Sequence, residues 1–299
     1  NTAPDDYGTS YYFRGNVIDN YVSFADKVWR IVRINGDGSI RLILDDVAKD
    51  SSGNAIKTAF NATNSDNAYV GYMYGTAGST TYEATHENKN DSTIKVAVDK
   101  WYEDNLKTNY ANYLSDTLFC GDKTLAENGI GGVTKQLGYG TNETYYSSAE
   151  RLTYSSGTTD ITPSKPTFKC AEKAMDNYSR YTTTKGILPN GKETNGDLKY
   201  PIGLLTADEV AYAGAYKYNQ TNKAYYLYNS SITSYWWFSA PNGCNGFSAY
   251  IWNFHYMYGS LSFNFVEYSF GFRPTINLKQ DIKFTGTGTS SDPYKIVME

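Results

Sequence analysis

The chain has 299 residues, a formal net charge of −4, 40% hydrophobic residues and 19% charged residues. This length suits one large domain or two smaller ones, and the apolar content is ample for a core. The charge argues against a general nucleic-acid-binding protein, which needs a basic surface, and no run of about 18 apolar residues is present to span a membrane. Tyrosine departs most from average composition, with 30 residues.

The first predicted elements are two strands joined by a turn. Ile40, Leu42 and Leu44 alternate after the turn Asn35–Ser39, and the segment VWRIVRI before it supplies the partner strand. The turn NGDGS resembles part of a calcium loop, but it lacks the other acidic positions and the distal glutamate. We therefore predict a hairpin and no metal. Residues 46–92 are rich in Asn, Ser, Thr, Asp and Gly, which indicates long surface loops.

Two helices follow in the chain. Ile94, Val98 and Trp101 have helical spacing in STIKVAVDKWYEDNL, with Asp91 or Ser92 as its cap. The second helix lies in GLLTADEVAYAG, where Thr206 and Glu209 have capping-box spacing and Gly214 is placed to end the helix.

Residues 121–200, between these helices, are predicted to be loop-rich, and a β pattern returns after Gly214. We predict strands in YYLYN, SYWWFS, RPTINL, DIKFTG and PYKIV. Strands at both ends with helices between them indicate an α+β fold rather than alternating βαβ units. No linker-like break stands out, so we expect one domain over 1–299, with large insertions at about 46–92 and 121–200.

The cysteines are Cys120, Cys170 and Cys244, and none forms a CxxC pair. With only two histidines beside them, a zinc site is not expected. A Cys120–Cys170 disulfide would close a loop of about 50 residues and stabilise the fold by roughly 4 kcal/mol. Two buried free thiols are the alternative.

The segment Asn242–Phe270 has an unusual composition. Its 29 residues include five Phe, four Tyr, four Asn and four Ser, with no Lys or Arg and with Glu267 as the only acid. Aromatic residues on period-two strands usually fill a core. Tyr, Ser, Gly and Asn together are also typical of antigen-binding loops, where rigid rings combine with adaptable hydrogen-bonding groups. Composition alone leaves both interpretations open.

Several blocks resemble one group of bacterial surface proteins. They are YYFRGNVIDNYVSFADKVWRIVRINGDGSIRL, YPIGLLTADEVAYAGAY, YYLYN, WWFSAP and FGFRPTINLK. The chain is similar over most of its length to variable proteins of diversity-generating retroelements, which carry a C-type-lectin-like domain. The similarity is most specific in GLLTADEVAYAG and GFRPTINL. The family motif often has Val where Phe272 stands. The dipeptide Phe238-Ser239 also differs from the residues that commonly follow WW in the family.

The resemblance implies a variable region at about 235–271. In such proteins a reverse transcriptase corrupts template adenines, so an AAC codon for Asn can become Tyr, Ser, Phe, His, Cys or Leu, and never a stop codon. The composition of Asn242–Phe270 fits this process, and it accounts for Cys244 as a chance product. Trp252, Met257 and Glu267 cannot arise from AAC and are expected to be fixed positions.

The resemblance and the aromatic density together predict a binding surface, because a monomer rarely exposes so many rings without an interaction role. We expect Trp236, Trp237, Ile251, Val266, Ile276 and Leu278 to be buried scaffold, and Arg273 to bond loop carbonyls. The residues expected to contact a ligand are Tyr250, Asn253, Phe254, His255, Tyr256, Tyr258, Ser260, Ser262, Phe263, Asn264, Phe265, Tyr268 and Phe270.

No catalytic pattern is evident. His86 and His255 lack a GxSxG-type nucleophile nearby, the carboxylates are scattered, and the cysteines match no formylglycine-generating motif. A calcium-dependent lectin would need an EPN- or QPD-like triplet followed by WND, and neither occurs, although ring stacking on a sugar needs no calcium. We expect a non-enzyme without cofactor or metal.

The predicted role is a non-enzymatic, cell-surface ligand-binding protein that displays diversified side chains on a rigid scaffold. Its partner would be a protein or glycan on another cell, phage or host surface, and not nucleic acid. We expect it to act outside the cytoplasm, held by an anchoring segment that the printed sequence does not include. The alternative is a structural surface or pilus-like adhesin subunit, whose fixed binding site could take a carbohydrate.

Overall fold

The computed structural model describes residues 1–127, 136–153, 165–180, 188–217 and 221–297. Parts of the predicted insertion at 121–200 therefore lie outside the described residues. The helices within these ranges, in chain order, are α1 (Tyr82–His86), α2 (Thr93–Asn105), α3 (Ser147–Thr153) and α4 (Ala207–Ala213), with 3-10 turns at Asn67–Val70, Ala111–Tyr113 and Ala174–Asp176.

The described residues also form strands throughout the chain, so the fold is mixed α+β, as predicted. In chain order they are β1 (Thr2–Pro4), β2 (Thr9–Tyr12), β3 (Tyr21–Phe24), β4 (Lys27–Ile34), β5 (Ile40–Leu44), β6 (Met73–Tyr74), β7 (Asn90–Asp91), β8 (Phe119–Cys120), β9 (Thr144–Tyr145), β10 (Asn177–Tyr178), β11 (Ile202–Gly203), β12 (Trp236–Cys244), β13 (Ala249–His255), β14 (Ser260–Phe265), β15 (Gly271–Phe272), β16 (Thr275–Leu278), β17 (Phe284–Thr285) and β18 (Tyr294–Ile296).

The largest sheet joins the two ends of the chain. Its order is β11-β16-β5-β4-β3-β18-β17, with β2 also on β4 and β1 on β2. The predicted hairpin is present: β4 pairs with β5, Asn35 N donates to Ser39 O at 2.8 Å, and Gly38 takes a φ of +82°. Glycine suits this position because it adopts positive φ without a Cβ penalty.

A second sheet contains the aromatic segment. Its order is β14-β13-β12-β15, and β9 pairs with the far end of β12. β13 is therefore an interior strand, hydrogen-bonded on both edges, whereas β14 lies at an edge of the described sheet. The pair β12–β15 is parallel, so the chain must cross the sheet between the end of β14 and Gly271.

Both main predicted helices occur with the expected caps. Ser92 Oγ accepts from Lys95 N at the start of α2, and α4 opens with the Thr206–Glu209 capping box and ends at Gly214, whose φ is +129°. Two further helices, α1 and α3, were not predicted from the sequence. The predicted strand at YYLYN is wrong: Tyr225 and Leu227 are buried in a turn-rich segment whose rings pack against α4 and β12 rather than pairing with a strand.

Glu209 fixes α4 to the large sheet. Its Oε1 accepts hydrogen bonds from Arg41 Nη1 at 2.6 Å and from Arg33 Nε at 3.3 Å. Its Oε2 accepts one from Thr206 N at 3.0 Å. Arg33 also contacts Asp5 at 3.0 Å. All of these side chains are buried, so the TADE sequence supplies both a helix cap and the counter-charge for two arginines of β4 and β5.

The core divides at the second sheet. One cluster holds Trp29, Trp101, Trp237 and Ile251 with much of α2, and the other holds Trp236, Trp252 and Phe254 with α4. Neighbouring side chains on β12 and β13 point to opposite sides of the sheet and therefore enter different clusters.

Candidate functional site

The structure divides the thirteen expected contact residues into surface and interior. Eight have partly or fully exposed side chains, namely Tyr250, Tyr256, Tyr258, Phe263, Asn264, Phe265, Tyr268 and Phe270. The other five are buried, namely Asn253, Phe254, His255, Ser260 and Ser262. For these five residues the predicted ligand contact is corrected, because their side chains are buried and form no contact surface.

The buried residues have identifiable covers. Phe254 lies on interior strand β13 and stacks on Trp236, with ring centroids 5.0 Å apart. Asn253 and Ser262 are cross-strand partners on the opposite side of the sheet. The chain between β14 and β15 crosses this side, and Val266 and Phe270 in it are hydrogen-bonded to the segment 58–60.

The exposed rings form one continuous series of contacts, which we call the aromatic row. From its first end, centroid distances are 5.8 Å for Phe263–Tyr250, 5.1 Å for Tyr250–Phe265, 5.5 Å for Phe265–Tyr268 and 6.0 Å for Tyr268–Phe270. Such distances are within the usual range for interacting aromatic pairs. The row thus joins the edge strand β14 to the chain crossover.

The row continues through a residue of the proposed variable region that was not in the expected contact set. Tyr235 stacks on Phe270 at 4.7 Å, contacts His255 at 4.7 Å and meets Tyr256 at 5.5 Å. His255 in turn stacks on Tyr258 at 4.4 Å. Tyr235 is half-buried; the signal for it was its place directly before the WW pair, within 235–271.

Phe247 is the second residue missing from the expected set. Its side chain is 82% exposed, the highest value among the large hydrophobic residues of the described chain. Asn245 Oδ1 accepts from the backbone N–H of both Phe247 and Ser248, which holds the turn that presents the ring. A Phe in an Asn-Gly turn was the available sequence signal.

Backbone hydrogen bonds from the segment 58–60 hold the row in place. Thr58 N donates to Phe270 O at 2.9 Å, Phe270 N donates back to Thr58 O at 3.1 Å, and Phe60 N donates to Val266 O at 2.8 Å. Trp237 Nε1 also donates to Thr58 O at 2.9 Å. Because these bonds involve backbone atoms of the crossover, its side chains can change without removing them.

A tight turn positions the other end of the row. Gly259 N donates to His255 O at 2.8 Å, and Gly259 has a φ of +66°. A Cβ at this position would lie 2.0 Å from Asn222 O. The turn that exposes Met257 and Tyr258 therefore depends on glycine.

Polar atoms beside the row lack partners within the described chain. They are His255 Nδ1, Ser260 Oγ and Glu267 Oε2. His255 Nε2 pairs with the Tyr235 hydroxyl at 2.9 Å. Burial lowers the pKa of His255, so the imidazole is neutral at pH 7. The row is thus nearly uncharged, and these three polar atoms beside it are buried.

The expected scaffold residues lie under this surface. Trp236, Trp237, Ile251, Val266, Ile276 and Leu278 are all buried. Arg273 donates to the carbonyls of Leu44 at 2.7 Å, Leu227 at 2.8 Å and Asp45 at 3.2 Å. The carbonyls of Leu227 and Asp45 belong to loops, as expected from the sequence, whereas Leu44 is the last residue of β5.

Two open clefts lie away from the aromatic row. One, of about 930 Å³, is bordered by the loop after β5 and by Trp101 of α2, and the other, of about 530 Å³, is bordered by Tyr11, Ile18 and Ile34. Within the described ranges no group of three or more His, Cys, Asp or Glu side chains could hold a metal ion. No helix in them is long and apolar enough to cross a membrane.

The sequence left open whether Cys120 and Cys170 form a disulfide or remain free thiols. Cys120 and Cys170 are joined by a disulfide, with Cα atoms 5.0 Å apart, and Cys244 is a buried free thiol on β12.

No protein-family model, curated protein or solved structure matches this chain, so the geometry of the chain itself is what bears on its function.

Proposed function

We propose that this protein is a non-enzymatic target-binding protein whose ligand surface is the aromatic row with its flanking Phe247 and Met257 turns. On this proposal the fold is C-type-lectin-like, the region 235–271 is diversified by a retroelement, and the protein acts on the cell surface. The observation that carries the proposal is the row itself: connected rings, partly or fully exposed at its core positions, on a segment without Lys or Arg.

The row has the physical properties of a paratope. Its rings offer wide contact area and few rotatable bonds, so little conformational entropy is lost on binding. Ring–ring contacts already restrict them in the free protein, which lowers that cost further.

The positions of three residues also support the proposal. Trp252, a fixed position under AAC diversification, is fully buried, and its Nε1 donates to Ser148 Oγ at 3.0 Å. Tyr268 and Phe263, which AAC codons can yield, are exposed. Met257, also a fixed position, is exposed, and Phe254 and Asn253 are buried although AAC codons can yield them, so codon access and exposure agree at only some positions.

The test is the DNA sequence of the source locus around codons 236–278. We expect a near-copy of this segment beside a reverse-transcriptase gene, differing only where the copy has adenine. The differing codons should include those of Phe263, Tyr268 and Tyr258. A locus without such a repeat would overturn the diversification and leave a fixed binding surface.

A structural or pilus-like adhesin subunit is a second candidate, supported by a different surface. Tyr11, Ile18 and Ile34 are 58%, 68% and 42% exposed and border the 530 Å³ cleft near the first strands. On this alternative the function lies in assembly contacts there. Replacing these three residues by Ser should then abolish assembly, whereas replacing Phe263, Tyr268 and Tyr258 should not.

A further inference from the structure

A buried lysine lies at the centre of a second polar cluster, remote from the aromatic row. Lys123 follows β8, and its side chain is fully buried. Its Nζ lies 2.8 Å from His86 O, 3.1 Å from Asn88 Oδ1 and 3.3 Å from the Tyr178 hydroxyl. A buried amino group in such a confined setting is held in a single position.

An acid of unusual environment faces this amino group. Asp176 is fully buried, and its Oδ1 lies 3.5 Å from Lys123 Nζ. Neither of its carboxylate oxygens makes a hydrogen bond of normal geometry in the described chain, and Lys123 faces the group at ion-pair distance. Burial raises the pKa of Asp176 to about 6, although Lys123 opposes the change. Buried polar groups are nearly always satisfied, so this carboxyl group needs an explanation.

The third member of the cluster is a carboxamide. Asn88 directs Oδ1 toward Lys123 Nζ, and its Nδ2 donates to Met175 O and to Asp197 Oδ2, each at 2.9 Å. These two bonds fix which side of the amide faces the lysine. Asp197 is exposed, so the Nδ2 side of the amide faces an acid that opens to solvent.

From these positions we propose that Lys123 and Asn88 become joined by a side-chain amide bond, with Asp176 as the group that takes the lysine proton. The cluster supplies an amine, a carboxamide carbon and a proton acceptor side by side; Lys123 and Asp176 are fully buried, and Asn88 is partly exposed. Confinement of reacting groups at such distances replaces an encounter in solution and lowers the barrier.

The reaction balances without a co-reactant. A proton moves from Lys123 Nζ to the Asp176 carboxylate, and the resulting amine forms the Nζ–Cγ bond with Asn88. The Cγ–Nδ2 bond then breaks, Nδ2 takes a second proton from Nζ, and ammonia leaves on the side of Asp197. Asp176 gives its proton to the ammonia. The products are a secondary amide and ammonium, and nothing is oxidised or reduced.

The bond would connect segments that the disulfide does not. Asn88 lies between α1 and β7, whereas Lys123 is three residues beyond Cys120, which is bonded to Cys170. The two links together would tie α1, the β8 strand and the region near residue 170 into one unit. A closed loop of this kind restricts the unfolded chain, as a disulfide does.

The test is the mass of the intact, reduced and denatured wild-type chain. We expect it to be lower than the sequence mass by one ammonia, with a branched tryptic peptide that joins Lys123 to Asn88. Asn88→Ala and Asp176→Asn should each show the full mass expected for the variant. The wild-type mass decides the proposal even where a variant fails to fold.

Lys95 provides the matched control. It is equally buried, but it pairs with Asp91 at 3.2 Å and Asp99 at 2.8 Å, so trypsin should cleave after it in the denatured chain. Full sequence mass would overturn the proposal, and so would loss of water with Asp176 in the branch. Loss of ammonia without a branched peptide would also overturn it, since a succinimide at an Asn-Gly step has the same mass.

Discussion

Tyr268 and Phe254 belong to the same aromatic segment but contribute differently to stability. Tyr268 is 43% exposed and touches the rings of Phe265 and Phe270, whereas Phe254 is 1% exposed and stacks on Trp236. An exposed ring returns little free energy on folding, while a buried ring removes most of its apolar area from water. At the scale of the residue, exposure therefore decides which positions tolerate substitution.

We expect Tyr268→Ser to change the free energy of unfolding by no more than about 0.5 kcal/mol, as for most surface substitutions. Phe254→Ala should lower it by roughly 3–5 kcal/mol, because the buried ring leaves a cavity between β13 and Trp236. Urea denaturation followed by fluorescence measures both. A loss of several kcal/mol in Tyr268→Ser would show that the row is part of the core.

The sequence identified the aromatic segment but could not sort its residues. Strand alternation would place Asn253 and Ser262 away from Trp252 and thus toward solvent, if that side of the sheet were open. Instead the crossover to β15 and the segment 58–60 cover it. That cover depends on contacts between residues roughly 200 positions apart, which no local pattern reveals.

At the scale of the element, α4 shows what a short motif can specify. Thr206 and Glu209 were readable as a capping box, and Gly214 as the stop, because these signals are local. The second role of Glu209, as counter-ion for Arg41 and Arg33, was not readable, since it requires the sheet to be in place. The wrong strand prediction at YYLYN has the same cause. Its tyrosines pack against residues distant in the sequence instead of joining a β-ladder.

Glu209→Gln should lower the free energy of unfolding by about 3–5 kcal/mol, because it leaves two buried arginine side chains without their shared carboxylate. Asp104→Asn is the control. It removes an exposed ion pair with Lys100 on α2 and should cost less than about 1 kcal/mol. Equal effects in the two variants would contradict a buried electrostatic role for Glu209.

The same cluster predicts how stability responds to acid. Burial alone would raise the pKa of Glu209, but Arg41 and Arg33 outweigh it and hold that pKa below the ordinary value of 4.5. The unfolded chain therefore binds the proton more readily than the folded chain. The stabilisation is fully present above pH 4.5 and is lost as the pH falls through the lowered folded value.

The measurement is denaturation of wild type and Glu209→Gln between pH 3 and pH 7. We expect the difference in unfolding free energy between them to be constant from about pH 6 to 7 and to shrink below about pH 4.5. A difference that grows on acidification would mean that the carboxyl group is protonated in the folded state.

At the scale of the whole molecule, strands from both ends of the chain lie in one sheet. Covalent and polar contacts connect the segments between them. The overall α+β character could be predicted because strand and helix periods are local. The order of strands could not, since β16 pairs with β5 and β18 with β3 across most of the chain length. The disulfide acts on the same scale, because it joins positions 50 residues apart.

Removal of this disulfide should lower the free energy of unfolding by roughly 4 kcal/mol in the chain-entropy account, since the unfolded chain gains the freedom of a 50-residue loop. The Cys120→Ser/Cys170→Ser double variant tests this loss of stability. Cys244→Ser is the control, because it removes a cysteine and leaves the disulfide intact. Cys244 lies outside any disulfide, and burial raises its thiol pKa to about 11.

Alkylation distinguishes the three cysteines without relying on stability. The native protein should take no iodoacetamide at pH 8, because the single thiol is both buried and protonated. Denatured without reductant the chain should take one alkyl group, at Cys244, and after reduction it should take three. Three groups on the unreduced, denatured chain would show that Cys120 and Cys170 are free thiols, and the loop between them would then be held by noncovalent contacts alone.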